Sequence, residues 1–315
     1  MSWGLGLKII FSILLLISFT ELYAKDRKYN QLVFAPNLQE VVLETKYTFQ
    51  FSKSIWEYLN QEYAKTKIDS EESSLGILYG VSEQFSLGVQ ASYELSRETV
   101  VTSGPASTAN GQTRTYQNSG LKDPVLRFIY RVRDRDEGEM SSNLYFNISP
   151  KVKNAVAAST SVKGNGARGG TNGTLGTEFG GKFGIFSYSF DFSIDRIGES
   201  KSTETKSSAY GLILGRANVQ FQAFEKISFR SFLGLGFIEK NKKTFSNGTF
   251  IENEDTGFIE VGGAAHFEFL EKGFFFFDFK GDALAKHNVT DETGTHVVEA
   301  ENNIFYFNFG VAKQF

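Results

Sequence analysis

From Val41 to Phe315 the chain repeats with a period of two, and few folds tolerate that over so long a stretch. Counting back from Phe315, one face of the last segment carries Phe315, Lys313, Val311, Phe309, Phe307 and Phe305. The other carries Gln314, Ala312, Gly310, Asn308, Tyr306 and Ile304. Successive side chains of a strand point to opposite sides, so this is a strand with one mostly apolar face and one mainly small or polar face. In the segment before it, Phe275, Phe277, Phe279 and Ala283 alternate with Phe276, Asp278, Lys280 and Asp282, and charge again keeps to one side. The same template can be followed upstream to Val41–Ser52 and predicts twelve strands.

The links between these segments sort by length. Short ones, around Ser82–Gln84, Asp134–Met140, Ile185, Glu225 and Glu271–Gly273, alternate with longer polar ones at Lys53–Asp69, Arg97–Asp123, Lys153–Asn172, Gly198–Lys206, Asn241–Asp255 and Asn288–Ala300. A soluble sandwich also alternates, but it buries its apolar faces on each other and does not separate short links from long ones so cleanly. Phe85, Tyr130, Phe183, Tyr188, Phe221, Phe269, Phe275 and Phe315 gather near the tight turns, as an aromatic girdle at a membrane interface does. The expected fold class is all-β: a transmembrane antiparallel up-and-down β-barrel of about twelve strands, in the lipid of a bacterial outer membrane, with both termini periplasmic.

Residues 1–24 stand apart from this pattern. Lys8 precedes the apolar run Ile9–Phe19, and Leu22-Tyr23-Ala24 ends on a small residue. That is the layout of a secretory signal peptide, and the run falls well short of the roughly 20 apolar residues a spanning helix needs. Residues 25–315 then form the barrel. The chain has no Cys, which excludes disulfides, Cys-ligated zinc and a thiol nucleophile. A formal net charge of −3 without a basic stripe argues against a nucleic-acid partner. No metal or other cofactor is expected.

The charge-bearing face is the most informative constellation. It holds Glu44, Lys46, Glu94, Arg127, Arg131, Lys151, Glu178, Lys182, Asp191, Asp195, Arg216, Arg230, Glu260, Glu268, Asp278, Lys280 and Asp282, with His266 on the same side. A Lys or Arg facing lipid near the midplane costs about 2–4 kcal/mol, so this face must line the interior. Twelve strands enclose a modest lumen, between the filled interior of eight and the aqueous channel of sixteen. Rings of mixed charge there either set ionic selectivity or cross-link the wall as ion pairs. Arg127, Arg131 and Arg230 fall towards the tight-turn end, with Arg216 higher.

Gly120-Leu121-Lys122-Asp123-Pro124, the alternating Val125–Val132, Asn147–Lys151 and Leu175-Gly176-Thr177-Glu178-Phe179-Gly180 together resemble the outer-membrane family named for the meta-pathway of phenol degradation. The resemblance covers roughly Ser73 to the C-terminus. It implies passage of small solutes, with small aromatic or apolar compounds as the class. The terminal Phe315 with aromatics at alternate positions is similar to the signal by which the barrel-assembly machinery recognises its clients. A passive outer-membrane channel or transporter for a small-molecule solute is thus the expected function. A structural or adhesive surface barrel working through its long loops, and a barrel enzyme, are the alternatives.

Two motifs bear on the enzyme alternative. Gly164-Asn165-Gly166-Ala167-Arg168-Gly169 matches a phosphate-binding pattern, but that pattern needs a strand before it and a helix after it. Here it falls between strands, and a mobile external loop is expected instead. His266 would stand opposite Asp278 if Glu271-Lys272-Gly273 formed a three-residue hairpin with Gly273 left-handed. Such a pair could act as a general base, yet a His beside a carboxylate in a lumen is more often a satisfied polar pair. No catalytic residue is assigned, and the expectation is of a non-enzyme.

Overall fold

The computed structural model describes residues 28, 29, 31–133, 140–202 and 204–315; the expected leader at 1–24 lies outside them. Twelve antiparallel strands follow one another around a closed sheet. β1 is Val41–Tyr58, β2 Gln61–Gly80 and β3 Phe85–Ser103, and β4 comprises Thr113–Leu121 and Val125–Arg133. β5 is Ser141–Ser149, β6 Asn172–Phe183 and β7 Phe186–Ile197. β8 comprises Thr205–Ser207 and Tyr210–Phe224, and β9 Ile227–Ile238 and Asn241–Phe245. β10 comprises Phe250–Asn253 and Thr256–Leu270, β11 Gly273–Leu284 and His287–Asp291, and β12 is His296–Gln314. β12 pairs with β1 from Val42↔Gln314 to Glu57↔Val298, which closes the sheet and leaves no edge.

Closure forces every strand to have an inside and an outside, and the two-residue period decides which side chains go where. Leu144, Phe146, Phe190, Phe192, Leu233, Leu235, Ile259, Val261, Phe277 and Phe309 all stay exposed on the outer surface. In water such a belt would be an aggregation surface; in lipid it is the surface that lowers the free energy of insertion. At the tight-turn end the outer face turns aromatic. Phe183 is 82 % exposed, Phe186 stacks on Phe221 with centroids 5.3 Å apart, and Phe269 on Phe275 at 4.2 Å.

Three expectations need correction. The polar stretch Lys53–Asp69 is not a loop, because β1 and β2 continue as a protruding hairpin, and strands likewise run into Arg97–Asp123, Asn241–Asp255 and Asn288–Ala300. The β1–β2 turn is Leu59-Asn60, both left-handed at φ 50° and 61°. Beyond the lipid neither face has to be apolar, so the alternation fades from the sequence while the backbone ladder carries on. Second, Lys272 rather than Gly273 takes the left-handed conformation, at φ 56°, and a register shift falls between Glu268 and Leu270. His266 therefore opposes Phe276, and Asp278 opposes Ala264; the His266–Asp278 pair does not form. Third, the loop holding Gly164–Gly169 is not left free of the wall. It bridges β4 through Gly164 N–H to the Gln117 carbonyl at 2.8 Å, and the Asp123 carboxylate accepts the N–H groups of Val152 and Arg168 at 3.0 and 3.1 Å. A Cβ on Gly166 would stand 2.6 Å from the Gly120 carbonyl oxygen, so close backbone approach, not phosphate, accounts for a glycine there.

Candidate functional site

The candidate site is the lumen. Directly opposed residues on neighbouring strands share a face, so rows of them trace the inner wall. Arg131, Asn143, Glu178, Asp191 and Arg216 form one row across β4 to β8, which continues through Gly234 and Glu260 to Asp282 on β11. A second joins Arg230, Ala264, Asp278, Asn308, Thr48, Glu72 and Glu94. A third runs Arg127, Asn147, Thr174, Asp195. Lys280 sits between Asp278 and Asp282 on β11, and His266 two residues beyond Ala264. Arg127, Arg131, Glu178, Asp191, Asp195, Arg216, Arg230, Glu260, His266, Asp278, Lys280 and Asp282 thus lie on the face opposite the apolar belt. Lys151, by contrast, lies past the end of β5 and is exposed.

Halfway along the lumen the charges tie the wall together. Arg216 donates Nε to Glu260 at 2.6 Å and reaches Asp191 at 3.4 Å. Lys280 spans Glu260 and Asp282, both at 2.9 Å, and the Tyr145 hydroxyl donates to Asp191 at 2.7 Å. Glu260, only 1 % exposed, is the centre of this girdle. Arg216 also lies 5.1 Å from the Phe232 ring centroid, and Lys280 4.7 Å from that of Tyr306. Buried carboxylates of this kind persist because each has a cationic donor; removing one donor would leave an uncompensated charge.

The four arginines meet different fates. Arg216 is in the girdle. Arg127 donates to the side-chain oxygen of Gln90. Arg131 donates to the backbone carbonyls of Ala35, Pro36 and Glu83, the last two at 3.2 and 2.8 Å. Arg230 forms no hydrogen bond or ion pair with any described residue, and its Nε is buried without a partner. Asp195 accepts from Thr174, and Glu268 is taken by Lys28 at 2.7 Å.

Ala35, Pro36 and Lys28 belong to the segment that precedes β1, where the two-residue period makes no prediction. It runs inside the barrel at the tight-turn end. Tyr29 donates its N–H to Gln314 of β12 at 2.9 Å and its hydroxyl to Glu44 of β1. Val33 N–H reaches Glu178 of β6 at 3.2 Å, and Glu40 pairs with Lys272 at 3.3 Å while accepting from Gln314. The Tyr29 ring packs against Phe34, Phe274 and Phe276. Burial, with the Glu44 carboxylate beside it, pushes the Tyr29 hydroxyl well above its ordinary pKa and keeps it a donor. The segment crosses Gly80 at a point where a Cβ would come within 1.6 Å of the Asn37 carbonyl oxygen. The signal for it in the sequence is the apolar run Leu32-Val33-Phe34-Ala35-Pro36 ahead of the first alternating strand.

Between the Tyr29 floor and the Arg216–Lys280 girdle lies a chamber of about 470 Å³, bordered by charged and aromatic side chains. Of the three histidines, His266 lines it. His287 instead pairs with Glu299 at 3.2 Å, and His296 bonds Thr290 at 2.9 Å, both in the protruding hairpins. No cluster of three or more potential metal ligands occurs among the described residues.

Among solved structures the chain is similar to an outer membrane channel of Pseudomonas putida F1. The TM-score is 0.60 at 14 % identity, covering 94 % of this chain and all of that one. Looser similarities are to a FadL homologue of Pseudomonas aeruginosa (TM-score 0.42, 8 % identity, 87 % and 90 % covered) and to the outer membrane protease OmpT of Escherichia coli (0.39, 10 %, 91 % and 99 %). No family model matches the chain and no curated protein is similar to it, so the likeness to the phenol-degradation family stays a resemblance.

Proposed function

We propose that this chain is a passive outer-membrane channel for small solutes, without catalysis, and that its N-terminal segment narrows the periplasmic opening. One observation carries the reading: a closed barrel sets a continuous apolar belt outside against a lumen lined with Arg, Lys, Asp and Glu. The girdle ion pairs brace the wall, but they leave open beneath them a chamber of about 470 Å³, for which a purely structural barrel has no need. Residues 1–24 serve secretion in this scheme, and Phe315 assembly. The similarity to a channel from Pseudomonas putida F1 supports the reading, and the resemblance to the phenol-degradation family favours small aromatic or apolar solutes.

An acid–base enzyme is the weaker reading, because the His266–Asp278 pair it needed is broken by the register of β10 and β11. Planar-bilayer recording of the purified barrel tests the proposal. Discrete conductance steps are expected, growing when residues 25–37 are deleted. A barrel that passes no current with or without that segment would overturn it.

A further inference from the structure

The cations around the chamber are paired unevenly. Of the cations that border it, Arg216 and Lys280 are held by Glu260, Asp191 and Asp282. Arg230 and Lys46 reach no carboxylate at ion-pair distance among the described residues. The carboxylates nearby are already engaged: Glu44 by Tyr29, Asp278 by Asn308, Glu72 by Lys122, and Glu178 by Val33 N–H and Ser189. Except for Lys122 these donors are neutral, so Glu44, Asp278 and Glu178 keep their charge and set a negative background around Arg230 and Lys46 without bonding either. His266 adds a second unpartnered polar group: it is 8 % exposed, and its Nδ1 has no hydrogen-bond partner. Desolvating a guanidinium without a bonded counter-ion is unfavourable, and a planar fork of donors matches a carboxylate in two parallel bonds.

We propose that this chamber binds a small organic anion with an aromatic body, its carboxylate held by Arg230 and Lys46 and its ring lodged against Phe232, Phe276 and Tyr306. The aromatic wall favours a flat apolar body by offset or edge contacts. The volume, about 470 Å³, falls in the range of small-ligand pockets. This inference rests on the channel reading and names its class of solute: a monoanion that lingers at a subsite on its way through the lumen.

Calorimetric titration of the full barrel in detergent with benzoate, beside its neutral analogue benzyl alcohol, tests it. Benzoate is expected to bind at least about 10-fold more tightly than benzyl alcohol, from charge-assisted bonds that only the carboxylate can make. R230Q should erase that preference, K46Q should weaken it, and R230K should retain part of it, since it keeps the charge and loses the fork. Heat-modifiable gel mobility reports whether each variant is folded. R230K serves as the working variant if R230Q does not fold. Equal binding of the two probes, or a preference unchanged in R230Q and R230K, overturns the proposal. Conductance in potassium chloride is measured separately: a barrel that conducts but does not prefer benzoate refutes the subsite alone, whereas one that binds benzoate yet passes no current refutes the channel.

Discussion

Among the described residues, Arg131 reaches the N-terminal segment through Nη2. Its Nη2 donates to the carbonyls of Ala35 and Pro36, both buried, while Nη1 holds the Glu83 carbonyl of the adjacent turn. Arg131→Met keeps the length of the side chain and removes every donor. A hydrogen bond to a charged group contributes about 1.5–3 kcal/mol, and because the two segment carbonyls share one nitrogen we count one such bond, not two. At about 1.4 kcal/mol per decade, the equilibrium between docked and undocked segment should shift about 10- to 150-fold towards undocked. Lys28–Glu268, Tyr29–Glu44 and Glu40–Lys272 remain, so the segment should still be mostly docked. The chain has no cysteine, so Ala35→Cys makes a clean reporter: Ala35 is 3 % exposed, and a maleimide can reach that position only when the segment leaves. Labelling should accelerate by the same 10- to 150-fold in the Arg131→Met background. A rate within about twofold of the parent, in a barrel that keeps its heat-modifiable mobility, would mean that Arg131 braces the Glu83 turn and does not hold the segment.

The same reporter should respond to Gly80→Ala, whose Cβ collides with the Asn37 carbonyl and cannot be accommodated without moving the chain just before β1. In the girdle, Arg216→Met leaves Glu260 with Lys280 alone. We expect a loss of about 1–3 kcal/mol in denaturant unfolding, below the range for a fully buried pair because Arg216 is partly exposed. Cysteines at Asn110, Ser161 and Asn247, all exposed at the long-loop end, should label from outside intact cells, and one at Glu271 should not; the reverse pattern would invert the orientation. Deleting Phe315 removes its two backbone bonds to Val41 at the closing seam and should lower the yield of folded barrel, read as loss of the heat-modifiable band.

The face of each strand was legible because lipid outside and charge inside impose opposite demands at every second position. Leu233 and Leu235 could only point out and Arg230 only in. The one register read from a turn, at Glu271–Gly273, failed by two positions. There the choice between Lys272 and Gly273 as the left-handed residue depends on the shift at Glu268/Leu270, which no local preference announces. That one shift decided the fate of the His266–Asp278 pair.

Pairing inside the lumen was less legible than placement, for a geometric reason. Arg216 and Glu260 are 44 residues apart in sequence and lie on β8 and β10, so their contact reaches across β9 over Gly234, where the lack of a Cβ leaves the way open. Lys28 meets Glu268 across 240 residues only because the barrel closes and the segment turns inward. Such long-range pairing settles the state of Arg230. Its side chain had to face the lumen, and three carboxylates on the same face, Glu178, Asp191 and Asp278, could have taken it. Once the segment gives Glu178 to Val33, Tyr145 and Arg216 take Asp191, and Asn308 takes Asp278, the guanidinium is left without a bonded counter-ion. The acids keep their charge under these neutral donors, so what the pairing frees is the directional bonding of the Arg230 guanidinium, and any anion held there must gain more from those bonds than it loses to the carboxylates around it.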